Sequence, residues 1–119
     1  MIQKFRIGNY INDYEVNEGY FKIEEIKDNG QGNLAVYYRK GSCMSINPEP
    51  IPLTEELLLN CGFRKNDNQF KRLGFSVFLY KDADFYESYE LPMFIHLQFL
   101  HQLQNLYYAL TNEELTINL

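Results

Sequence analysis

A strongly amphipathic run, LHQLQNLYYALTNEEL at residues 100–115, follows a chain that otherwise alternates in twos, and that contrast limits the fold more than any other feature. Leu100, Leu103, Leu106, Tyr107 and Leu110 recur at steps of three and four, which at about 100° per residue gathers them on one face of an α-helix. Gln102, Gln104 and Asn105 fall on the opposite face. Thr111 and Asn112 close the helix, because short polar side chains compete with helical backbone for hydrogen bonds. One helix with one apolar face needs a wall, and the β-rich chain before it can supply one. The expected class is therefore α+β, with Leu103, Leu106 and Leu110 buried.

Four short strands are expected in the first fifty residues. Phe5 and Ile7 alternate with Lys4 and Arg6 before Gly8-Asn9, and Phe21 and Ile23 resume the alternation, with Ile26 one step out of phase as a bulge would leave it. The turn cluster at 28–33 leads into Leu34, Val36 and Tyr38 on one face, and Met44 and Ile46 follow a second turn at Lys40-Gly41-Ser42. Short strands at this spacing predict a small antiparallel barrel, SH3-like in the first instance, or a curled sheet.

Pro48, Pro50 and Pro52 then stop ladder pairing and make the best internal boundary, dividing the chain into 1–52 and 53–119. Thr54 is placed to cap a short helix whose first turn holds Glu55 and Glu56, and Gly62 sits where its C-terminal cap belongs. Beyond it the period returns to two. Residues 63–65 and 70–72 flank Asn66-Asp67-Asn68 as a hairpin, Phe75, Val77 and Leu79 mark a central strand, and residues 93–99 a last strand running into the helix. The expected second half is an antiparallel sheet with the C-terminal helix packed on it.

Composition narrows the functions. A chain of 119 residues, 45% hydrophobic, can bury a real core, and ten Tyr with nine Phe and no Trp suit surfaces that recognise something. A net charge of −5 argues against duplex DNA or anionic lipid as the main ligand. There is no signal-peptide pattern at MIQKFRIGNY, and the longest uncharged segment is broken by His, Gln and Asn, so a cytoplasmic protein is expected. Cys43 and Cys61 have no CxxC spacing and read as free thiols.

No catalytic constellation stands out. His96 and His101 are five apart, where a zinc pair on one helix face needs three or four, and neither cysteine carries a nucleophile motif. Asp82 and Asp84 lack the glycine and closing Glu of a calcium loop, and the single glycines form no phosphate cradle. A non-enzyme without metal or cofactor is expected.

The runs EPIPLTEELLL to CGF at 49–63 and HQLQNLYYALTNEEL at 101–115, with RIGNY at 6–10, resemble a group of small proteins carried by bacterial phages, prophages and other mobile elements. The resemblance spans most of the chain and brings no catalytic motif. It implies an inhibitor of host defence, similar to an anti-CRISPR protein acting on an RNA-targeting nuclease, whose partner is a host protein or ribonucleoprotein complex. Residues 82–98 depart most from the group's pattern.

Two stretches could carry such binding. Residues 64–72 hold Arg64, Lys65, Lys71 and Arg72 against Asp67, with Phe70 between them, a composition that can grip RNA by phosphate contact and stacking. Residues 82–90 hold Asp82, Asp84, Glu87 and Glu90 among Phe85, Tyr86 and Tyr89, a composition suited to a basic cleft on a partner. The expected function is protein-protein inhibition through the acidic aromatic stretch; the alternative is a phage RNA-binding module that uses the basic hairpin. Either charge run is also an ordinary solvated surface.

Overall fold

The computed structural model describes residues 5–13, 17–72, 75–82, 85–88 and 95–119. The fold is α+β, and the chain forms two compact units, Met1–Ile51 and Pro52–Leu119.

In the first unit, β1 (Tyr10–Asp13) pairs with β2 (Asn17–Lys22), and β3 (Glu25–Asp28), β4 (Leu34–Tyr38) and β5 (Cys43–Ser45) form a separate antiparallel sheet in that order. The described strands do not close into a barrel, so the SH3-like expectation gives way to small sheets. The first strand also starts later than the alternation suggests. Gly8 takes a φ of 98°, and Asn9 folds residues 6–9 into a turn by accepting the Arg6 N–H on Oδ1, which leaves Ile7 exposed. The phase slip before Ile26 is a break between β2 and β3, two strands of different sheets, and not a bulge. Phe5, Ile11, Ile23 and Val36 make the core, with Ile26 against it. Tyr38 stacks on Phe21 at 4.7 Å, and its hydroxyl donates to the buried carboxylate of Asp13.

The second unit opens with α1 (Glu55–Asn60). Thr54 caps it, accepting the Leu57 N–H on Oγ1 at 3.2 Å, and both first-turn acids lie where the helix dipole favours them. Gly62, at φ 88°, ends the helix in a Schellman-type turn in which the Phe63 N–H reaches Leu58 O at 3.0 Å. A five-stranded antiparallel sheet follows, in spatial order β10-β9-β8-β7-β6: β6 (Arg64–Asn66), β7 (Gln69–Arg72), β8 (Phe75–Asp82), β9 (Phe85–Ser88) and β10 (Ile95–Leu97). The last strand is shorter than the expected 93–99, and residues 93 and 94 lie outside the described residues.

The C-terminal helix, α2 (Leu100–Thr111), buries Leu100, His101, Leu103, Gln104 and Tyr107. The expected stripe of Leu103, Leu106 and Leu110 is thus corrected by a rotation toward Gln104, which is 1% exposed, while Leu110 is 46% exposed. Tyr107 sets that rotation: its ring packs 5.1 Å from Phe75 and its hydroxyl accepts a hydrogen bond from Arg72. Gln102 belongs to the helix start, its Oε1 accepting the N–H groups of Gln98 and Phe99 as in the returning half of a capping box. Asn112 closes the helix in the left-handed conformation.

Candidate functional site

The hairpin of β6 and β7 has two chemically different faces because its register is fixed by a two-residue loop. Arg64 lies opposite Lys71, Lys65 opposite Phe70 and Asn66 opposite Gln69. Side chains alternate along each strand, so Lys65 and Phe70 share one face, and Arg64, Asn66, Gln69 and Lys71 share the other.

The Lys65 face closes a cleft of about 260 Å³. Leu53, Thr54 and Glu55 at the start of α1 form one wall, Lys65, Asn68 and Phe70 of the hairpin the other, and Tyr86 of β9 completes it. Phe70 and Tyr86 meet edge to face at 5.5 Å, as aromatic pairs prefer, and both are buried. At the rim the Lys65 ammonium and the Glu55 carboxylate pair at 2.8 Å, each about half exposed. Burial pushes the Tyr86 phenol up from its ordinary pKa, and the Glu55 charge adds to the rise. Its hydroxyl therefore stays protonated at neutral pH. The cleft combines an apolar floor with a rim carrying both charges and an amide.

The basic residues expected to act together are divided among three roles. Arg72 is half-buried: Nε donates to Cys61 O at 3.0 Å, Nη1 donates to the Tyr107 hydroxyl at 2.8 Å, and the guanidinium lies 5.0 Å from the Tyr107 ring centre. It ties the end of α1 and the helix α2 to the sheet and does not face outward as a ligand-binding cation. Lys65 is held at the cleft by Glu55. Only Arg64 and Lys71 stand together on the exposed face.

Within the acidic aromatic stretch, residues 85–88 form the strand β9. β9 pairs with β8 on one side and β10 on the other, and Tyr86 and Glu87 are 1% and 4% exposed. Phe85 is half-buried and stacks on His96 at 4.5 Å. Tyr86 thus reaches a ligand only as part of the cleft wall, and Glu87 belongs to the interior. Asp82 ends β8 opposite Phe85, while Asp84, Tyr89 and Glu90 lie outside the described residues.

Cys61 is buried and its thiol is pushed up to about 12, burial outweighing the opposing effect of Arg72, so it holds its proton at neutral pH. Among the described residues no three His, Cys, Asp or Glu side chains gather as a metal ion requires, and no helix is long and apolar enough to cross a membrane.

Sequence reasoning missed the cleft because Glu55 reads as a helix-start acid and Asn68 as a turn residue. The hairpin register held the signal, since pairing Asn66 with Gln69 puts Lys65 beside Phe70. Comparison with protein-family models, with curated proteins and with solved structures returned no match to this chain.

Proposed function

We propose that the chain is a cytoplasmic, non-enzymatic binding protein of a mobile element, that its partner is a host protein or ribonucleoprotein complex, and that it inhibits host defence, with an RNA-guided CRISPR nuclease as the target. The observation that supports this reading is the cleft between α1 and the β6–β7 hairpin. Its two packed rings and oppositely charged rim have the make-up of an interface centre, where an anchor side chain of a partner is desolvated inside a polar margin. The same unit holds a thiol kept neutral by burial, which is poor equipment for covalent chemistry. The resemblance to small mobile-element proteins points the same way.

The test is a pull-down from bacterial host lysate, with and without nuclease treatment, using the intact chain and an Asn68→Trp variant that fills the cleft mouth. The reading expects a captured protein that survives nuclease treatment and is lost with Asn68→Trp. Capture that vanishes on nuclease treatment would instead favour the phage RNA-binding module, and equal capture by the filled variant would remove the cleft from the interface.

A further inference from the structure

We infer that the outer face of the β6–β7 hairpin is a binding site for the phosphate backbone of single-stranded RNA, built from Arg64 and Lys71 with Asn66 and Gln69 beside them. This goes beyond the cleft reading, since it uses the opposite face of the hairpin and requires no protein partner. The pairing of Arg64 with Lys71 costs the fold stability. Arg64 and Lys71 are cross-strand partners, so their side chains leave the sheet side by side, and like charges placed directly opposite destabilise a sheet. Both are exposed, and among the described residues neither has an ion-pair partner. Asp67, the one carboxylate of the hairpin, sits at its tip with a φ of 58°.

An anion resting between the two cations removes their repulsion, and the neighbouring pair supplies what a nucleotide backbone needs next. Asn66 and Gln69 each carry an amide that donates and accepts, suited to phosphate oxygens and to the ribose 2′-hydroxyl. Phe70 lies on the other face, so the hairpin offers no ring for stacking here. The site therefore reads backbone and not base identity. A single strand suits it better than a duplex: two cations cannot offset the charge density of a duplex on a net-negative protein, whereas a flexible strand can bend away from the carboxylates.

Fluorescence anisotropy with a labelled twelve-nucleotide oligouridylate tests the site directly. The intact chain should bind at low salt and lose affinity as salt rises. Lys71→Glu should weaken binding at least tenfold while leaving the melting temperature unchanged or higher, because it converts the like-charge pair into an opposite-charge one. Arg64→Gln should weaken binding more mildly and flatten the log-log salt slope by about 0.7, the value for one lost single-strand phosphate contact. Lys65→Gln, on the cleft face, should leave RNA affinity unchanged. No binding by the intact chain at low salt, undiminished binding by folded Lys71→Glu, tighter binding to a duplex of the same length, or equal binding to an inorganic polyphosphate would each overturn the inference. Loss of protein capture in Asn68→Trp with RNA binding intact would separate this site from the cleft.

Discussion

Arg72 shows how far the role of a charged residue depends on what surrounds it. In the sequence it is one of four cations around a turn; in the fold its guanidinium fork spans a helix-end carbonyl and a tyrosine hydroxyl and lies over the same tyrosine's ring. Gly62 makes room for it, since a Cβ there would come within 3.3 Å of Arg72 Nε on a backbone already at positive φ. Cys61, whose carbonyl Arg72 holds, gives a pH-dependent prediction. Its thiol is raised from 9.0 to about 12, so the native state holds the proton more tightly than the unfolded chain. The associated stability is fully present below about pH 9 and is lost as pH climbs toward 12. Urea denaturation should therefore show stability falling more steeply between pH 9 and 11 for the intact chain than for Cys61→Ser. Tyr86, also raised, contributes equally to both proteins and leaves the difference to Cys61. Parallel pH profiles would contradict the placement of this thiol.

Elements were more legible than the contacts between them. Thr54 as a cap, Gly62 as a stop and Asn112 as a close follow from local backbone chemistry, and each stands where it was expected. Helix rotation is a tertiary property. Leu106 and Leu110 satisfy the helical period as well as Leu100 does, yet the Arg72–Tyr107–Phe75 contact turns α2 so that Gln104 is covered and Leu110 is not. Leu103→Ala should then cost about 2 to 5 kcal/mol, the range for a fully buried leucine, and Leu110→Ala under about 0.5 kcal/mol. Equal losses for the two in urea titrations would restore the stripe read from periodicity. The β-strands erred in the same manner: alternation at Phe5 and Ile7 was real, but the Gly8-Asn9 turn kept those residues out of a ladder.

For the whole molecule, composition and periodicity were sufficient for a mixed α+β chain whose second half is an antiparallel sheet followed by a helix. They were not sufficient for its surfaces. Residues 82–90 read along the chain as one charged stretch, whereas in the fold β9 lies between β8 and β10 and its Tyr86 and Glu87 are buried. The β6–β7 hairpin carries a cleft on one face and two adjacent cations on the other, a distribution visible only once register is known. The proposed inhibition of host defence by binding can be measured as survival of a targeted phage in bacteria that carry an RNA-guided, RNA-targeting nuclease. Expression of the intact chain is expected to restore phage survival, and expression of Asn68→Trp at equal level is not. Full protection by the nuclease in the presence of the folded, intact chain would rule out such inhibition.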